Sequence, residues 1–308
     1  MWKNWPVLAL AMLPLLPLPG SGAEPPSPPA VQTAREAARQ AGHALSWTNL
    51  AAGLDMALLT EPDEGQAPVQ VTIVRMEPDL YEFSLHSEAW DGPPARTIRQ
   101  WAESLNLTAA INAGMYLPDG KTSTGYMRRG EDVNNSRIAS RYNGFFVSGP
   151  RRAGLPPAAV LDRAVDDCEK LLPAYDIVVQ NFRLFGPGGS HLWPRNGPVH
   201  AVAAVAQDED GRILFLHCRE AVSVHRFVSA LNAHPDLRLR AAIYVEGGGQ
   251  AAMALRLPGQ SAVWAGRSAA SLLLGSEDAV ITLPNIIGAR PRQGLAQSTD
   301  TERTAGSP

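Results

Sequence analysis

Ile243-Tyr244-Val245-Glu246-Gly247-Gly248-Gly249-Gln250 joins an apolar, β-branched run to a lone carboxylate and three successive glycines. The run reads as a buried strand, and the glycines force an abrupt turn directly after it. Glycine lacks a Cβ, so backbone can come close to a ligand there, and successive N–H groups can form an anion-binding nest. A carboxylate beside exposed amide dipoles at a strand end can serve as a catalytic corner. The plainer alternative is a structural turn whose own amides Glu246 caps.

Outward from this corner the pattern is strand after strand. Leu54–Leu59 and Val69–Val74 read as strands joined by the turn-rich Glu61–Pro68, and Tyr81–Leu85 alternates as a third. Thr97 caps a helix through Leu105, with Ile98, Trp101 and Leu105 on its inner face. Ala109–Asn112, Gly144–Val147 and Asp176–Gln180 read as further strands, and Ala201–Ala206 pairs with Ile213–His217 across Asp208-Glu209-Asp210-Gly211. Ser223 caps a second helix through Asn232, and Val280–Leu283 supplies a late strand. Strands dominate and only two substantial helices interrupt. The expected class is α+β, with strand-rich mixed sheets in a single domain.

The flanks differ in kind. Lys3, the apolar Trp5–Leu18 and the small residues Ser21-Gly22-Ala23 have the form of a signal peptide over residues 1–23, implying a periplasmic or secreted protein. Pro14 and Pro17 break that run, and no later stretch is apolar enough to span a bilayer, so no membrane span is expected after signal removal. Residues 24–44 are expected as a Pro-rich linker (Glu24–Ala30) and a short helix (Val31–Ala41). The domain then runs over 45–289, and 290–308 forms a disordered tail. A net charge of −3 without any basic run argues against nucleic acid as partner. Export permits a disulfide between Cys168 and Cys218, while the strand-like run before Cys218 suggests a buried free thiol instead.

Several chemistries lack their residues. There is no G-x-S-x-G elbow, no serine followed three residues on by lysine, no H-E-x-x-H and no G-K-[ST] after the glycines. Gly186-Pro187-Gly188-Gly189-Ser190 reads as a loop. What remains is a set of polar residues at strand ends: Asn112, Asn143, Gln180, His200 and Glu246. Singly, each is an ordinary turn-capping residue.

In order, however, Asn112-Ala113-Gly114-Met115-Tyr116, Asp119-Gly120 and Asn143-Gly144-Phe145-Phe146 resemble the N-A-G-M-F … G-F-F signature of the phosphodiester glycosidase family. The resemblance continues through Gln180 to Glu246-Gly247-Gly248-Gly249-Gln250, where that family has D-G-G-G-S, and closes at Leu283–Gly288. It implies hydrolysis of a sugar-1-phosphodiester, with a carbohydrate or sugar-phosphate as partner. The departures are Glu246 for aspartate, Gln250 for serine, and Gln180-Asn181-Phe182-Arg183 for Q-S-G-P. A phosphate leaving group is stable as an anion, so the reaction has less need of a general acid than ordinary glycoside hydrolysis. The resemblance thus implies Glu246 as base or electrostatic stabiliser, with Asn112 beside it in the catalytic set. Gly247, Gly248 and Gly249 would be close-approach backbone, and Asn112 and Gln180 would hydrogen-bond the sugar. His200, Arg195 or Arg128 would contact phosphate, with Gly114 and Asn143 shaping the pocket. No cofactor is expected; a divalent cation between Glu246 and Asp119 is conceivable without any ligand spacing to support it. The alternative reading is a non-catalytic envelope glycan-binding protein with a degenerate glycosidase pocket.

Overall fold

The computed structural model describes residues 45–62, 65, 67–267 and 281–293. Two antiparallel sheets face each other. The larger runs β1 (Thr48–Ala51), β2 (Leu54–Glu61), β3 (Val69–Met76), β14 (Ile213–Ser223), β13 (Val199–Asp208), β15 (Leu239–Gly247), β10 (Tyr175–Arg183), β6 (Met127–Arg129) and β7 (Asp132–Asn135). From β10 it also extends to β8 (Gly144–Pro150) and β9 (Ala158–Asp162). The smaller has the order β17 (Gln260–Ala265), β16 (Ala252–Leu257), β5 (Ala109–Asn112), β18 (Asn285–Pro291), β4 (Tyr81–Ser87). The protein is strand-rich α+β.

Alternation decides which side chains meet between the sheets. Met56, Val74, Phe215, Ala203, Ile243 and Val179 of the larger sheet pack there against Phe83, Leu85, Ile111, Met253 and Ile287 of the smaller. Phe83 makes edge-to-face contacts with Phe146 and Phe215 at ring-centroid distances of 5.8 and 6.2 Å, joining the sheets at their centre. Each outer face carries a helix. The one capped by Ser223, Val224–Asn232, lays Val224, Phe227, Val228 and Leu231 on the larger sheet. Ile98–Ser104 covers the smaller with Ile98 and Trp101, and its N-terminus is a capping box between Thr97 and Gln100.

Two expectations are corrected. Val280–Leu283 is not a strand where it is described: Leu283 forms a single bridge to Arg96, and the strand begins after Pro284, which has no N–H to give a ladder. That strand runs through Arg290 and Pro291, beyond the expected domain end at 289, and Arg290 pairs with Glu82 of β4 at 3.0 Å. Strands β1, β6, β7, β9, β16 and β17 were not read from the sequence. The Gly186–Ser190 loop is part of a small hairpin, β11 (Phe185–Gly186) with β12 (Ser190–His191). Cys168 and Cys218 are free and buried in different clusters, and burial pushes their thiols up to about 11 and about 12. The signal peptide, the linker and short helix, and the tail beyond 293 lie outside the described residues. Among the described residues no helix is long and apolar enough to cross a membrane.

Gly144, first of the G-F-F triplet, packs against β15: a Cβ there would lie 2.3 Å from Ile243 Cγ2. Gly144→Ala overpacks this junction and is expected to cost about 1–3 kcal/mol, read as a lower denaturant midpoint at unchanged slope.

Candidate active site

One extra residue aims the carboxylate. Along β13, Ala203 lies opposite Glu246 and Ala204 opposite Tyr244, which leaves Val245 without a partner. Tyr244 and Ala204 belong to the outer cluster under the helix Val224–Asn232, whereas Val245 and Ala203 belong to the core between the sheets. Directly opposed residues share a face, so the bulge turns Glu246 toward the inter-sheet side. Strict alternation would have sent it outward with Tyr244.

After Glu246 the chain crosses from the larger sheet to the smaller through a helical turn, Gly248–Gln250. Both sheets hold this crossover. From β5, Asn112 donates Nδ2–H to Gln250 O at 3.0 Å and accepts from Ala252 N–H at 2.7 Å. From β14, His217 hydrogen-bonds Ala251 O through Nε2 at 3.0 Å, and Gly266 N–H donates to the same oxygen at 2.8 Å. A carbonyl only accepts, so His217 carries its proton on Nε2. Burial lowers that imidazole to about 4, keeping it neutral above that pH. Gln250 donates Nε2–H to the Tyr116 hydroxyl at 2.6 Å, tying the loop after β5 to the turn.

The first two glycines are required for different reasons. A Cβ at Gly247 would lie 1.9 Å from Tyr244 Oη and 2.9 Å from the His200 ring, so that position admits no side chain. Gly248 has φ +70° with open space where a Cβ would be, so conformation alone demands glycine there.

Glu246 is 6% exposed and accepts a hydrogen bond from Gly247 N–H at 3.0 Å. Burial raises its carboxyl to about 7, and the Gly247 amide is the one influence opposing that rise. Burial, then the charge of Glu246, raises the hydroxyls of Tyr116 and Tyr244 as well. At neutral pH Glu246 therefore divides between its acid and its base forms, the condition under which a carboxyl moves protons efficiently.

The other sequence-derived candidates divide. Asn112, Gly247, Gly248 and His200 gather around Glu246, although Asn112 spends its amide on the crossover and acts as a clasp. Gly114 donates its N–H to Asn285 Oδ1 at 3.0 Å, and a Cβ there would lie 2.9 Å from Asn181 Oδ1. Gln180 is a correction. Its oxygen accepts from Tyr126 and Ala139 N–H, its nitrogen donates to the Ala139 and Tyr142 carbonyls, and it is fully buried, so nothing is left for a sugar. Arg128 is another, since its guanidinium donates to the carbonyls of Gly130, Leu172 and Tyr175 and its one unpartnered nitrogen, Nε, is buried. Arg195 is exposed beside the stacked His191 and His225 rings, and Asn143 is half-exposed ahead of β8. Asp119 is exposed and caps its own turn through Lys121 and Thr122. No cluster of three or more metal-ligating side chains occurs among the described residues.

Residues that the sequence did not single out are Tyr116, Tyr244, His217, Asn181 and Asn285. Three of these hold buried polar atoms without a partner among the described residues: His217 Nδ1, and Asn181 Oδ1 and Asn285 Nδ2, whose side chains both lie beside Gly114. For Asn181 and Asn285 the available signal was position near a strand end beside a motif residue, whereas His217 lies in mid-strand and gave none.

The family model described as phosphodiester glycosidase matches residues 105–280. No curated protein matches the chain significantly. Among solved structures, the catalytic domain of zebrafish N-acetylglucosamine-1-phosphodiester alpha-N-acetylglucosaminidase, auto-inhibited by its pro-peptide, superposes with a TM-score of 0.55 at 14% identity, covering 81% of this chain and 87% of that one. A hypothetical protein from Synechocystis gives a TM-score of 0.55 at 12% identity over 80% of this chain, which spans 64% of that protein's length. At these identities the likeness is one of fold.

Burial of Glu246 has a measurable consequence for stability. Below pH 4.5 the carboxyl is protonated in folded and unfolded chains alike. Between 4.5 and about 7 the unfolded chain releases the proton and the folded one keeps it, so stability falls as pH rises, by roughly 3 kcal/mol in all. Glu246→Gln lacks this fall. It should match the parent near pH 4 and exceed it by about that amount above pH 7.5, as read by chemical denaturation; equal midpoints at pH 8 would exclude a buried ionising carboxylate.

Proposed function

The chain belongs to the phosphodiester glycosidase family, and we propose that it is an exported hydrolase cleaving the glycosidic bond of sugar-1-phosphodiesters borne on a glycan or glycolipid. The observation that carries this reading is a single carboxyl, raised to about 7, aimed by a bulge toward the side between the two sheets. Among the described residues no second carboxylate acts on Glu246. An ordinary glycosidase needs a carboxyl pair, one member protonating a poor leaving group. A phosphate monoester leaves as an anion without that help.

Glu246 then acts as general base. It removes a proton from water as the water oxygen bonds to the anomeric carbon; the C1–O bond breaks, its electrons leave with the phosphate, and the proton passes from Glu246 to solvent. The charge of Glu246 reaches the hydroxyls of Tyr116 and Tyr244, which can orient the water or a sugar hydroxyl, while the His200 ring edge and the Tyr244 hydroxyl crowd the same side of Gly247. Export rests on the form of residues 1–23.

A second reading, a glycan-binding protein that has lost the reaction, draws on the replacement of aspartate by Glu246 and serine by Gln250. Turnover separates the two. Incubated with a panel of sugar-1-phosphodiesters, the protein should release free sugar, with kcat rising through a midpoint near pH 7 as Glu246 ionises. Glu246→Gln should lose at least about 10²-fold and the pH limb with it. Saturable binding with no product over the whole panel would support the binder.

A further inference from the structure

Five half-buried or buried rings form a continuous row that ends at the catalytic corner. Tyr142 packs on Phe182 at 4.2 Å between centroids, Phe182 on Trp193 at 5.6 Å, Trp193 on Tyr244 at 5.3 Å, and Tyr244 on His200 at 6.1 Å. Four separate segments supply them: the loop before β8, the end of β10, the segment between β12 and β13 with the start of β13, and β15. Phe182 and Tyr244 lie directly opposite each other on paired strands, and Tyr244 and His200 both press on Gly247. Phe182 stands where the Q-S-G-P motif has glycine, so the centre of the row is particular to this chain.

The chemistry of the row is neutral, with polar tips. The hydroxyls of Tyr142 and Tyr244 and the Nε2 of His200 form no hydrogen bond among the described residues, while Trp193 Nε1 is committed to Arg183 O at 3.3 Å. The adjoining Arg183 is held by Asp162 at 2.6 Å. With that cation committed, what the rings themselves offer is apolar faces and polar tips. An alkyl chain would leave the polar tips unused. A pyranose, with apolar C–H faces and a rim of hydroxyls, uses both, because aromatic rings present large apolar area and Tyr and His carry a polar handle.

We propose that the row Tyr142–Phe182–Trp193–Tyr244 is a neutral saccharide subsite that binds a second sugar ring beyond the one whose linkage faces Glu246, so that the preferred substrate is an oligosaccharide rather than a lone sugar phosphodiester. This rests on the reading of Glu246 as facing a glycosidic bond. The half-exposed rings of Tyr142, Phe182 and Trp193 carry the sugar over the buried Tyr244, and the row's end at Gly247 sets its register against the reacting carbon.

The test uses the full processed chain and sugars without phosphate, so that it is read independently of turnover. Glucose, mannose and N-acetylglucosamine are titrated beside maltotriose, mannotriose and chitotriose, following tryptophan fluorescence and heat. One trisaccharide should bind at least tenfold more tightly than its monosaccharide. Trp193→Ala should abolish that preference while leaving monosaccharide affinity in place, and Trp193→Phe should restore most of it. Tyr142→Ala, at the far end of the row, should weaken the trisaccharide alone, and decides the matter if Trp193→Ala does not fold. Equal affinity for one ring and three, no binding by any of the three series, or a length preference indifferent to Trp193 and Tyr142 would each overturn the subsite. A length preference without hydrolysis of any phosphodiester would keep the subsite and overturn only the catalytic reading.

Discussion

A carboxyl withdrawn from water, with no counter-cation acting on it among the described residues, is the constraint around which the rest of this structure is arranged. An arginine beside Glu246 would have drawn its pKa down and fixed it as an anion. Burial with a single amide donor instead leaves it near neutrality, where it can exchange protons. Holding that state requires a precise position, and the position lies on a chain crossing between two sheets. Asn112 from the smaller sheet and His217 from the larger therefore grip the same three-residue stretch, Gln250 to Ala252. Gly266 closes against it from the strand that follows, where any Cβ would strike Gly248 O. These residues touch no reacting atom, yet each sets where Glu246 points.

The departures from the D-G-G-G-S motif make sense together. Glu246 is one methylene longer than aspartate, and the bulge at Val245 gives it a direction that strict pairing would not. Gln250 reaches Tyr116 at 2.6 Å, which the shorter serine hydroxyl could not do from the same backbone, and so a hydroxyl is brought close enough to feel the charge on Glu246. Carboxyl, tyrosine and glutamine change the corner as a set. That is the behaviour of a reshaped site more than of one decaying piece by piece.

Much of this was legible in the sequence, for identifiable reasons. Strand stretches such as Val69–Val74 and Ile213–His217 announced themselves because both faces of each are buried, so their apolar residues run almost without a break. The corner after Ile243–Val245 was legible because glycine has few other uses in threes. What escaped was whatever depends on a partner distant in the chain. Gln180 looks like a ligand residue in sequence, but the loop carrying Ala139 and Tyr142 folds back to take three of its four hydrogen bonds and Tyr126 N–H supplies the fourth. Arg128 looks like a free cation until three carbonyls enclose it. The bulge at Val245 leaves no mark in composition, because it exists only as a mismatch with β13. Pro284 did carry a signal: it forbids a ladder bond, and the last strand starts one residue after it.

His217 and Glu246 lie on one face of the larger sheet with only Ala203 between them, and burial acts on them in opposite senses. The imidazole is driven down to about 4 and the carboxyl up to about 7. Between those values both are neutral, and an anionic phosphodiester meets no negative charge on Glu246. Above 7 Glu246 gains the charge it needs as a base and repels the same substrate, with only amide dipoles and hydroxyls to offset it. Binding and proton abstraction therefore pull the useful pH in opposite directions. The compromise is a carboxyl whose pKa sits close to the working pH, which aspartate on an exposed turn could not supply and a buried glutamate does.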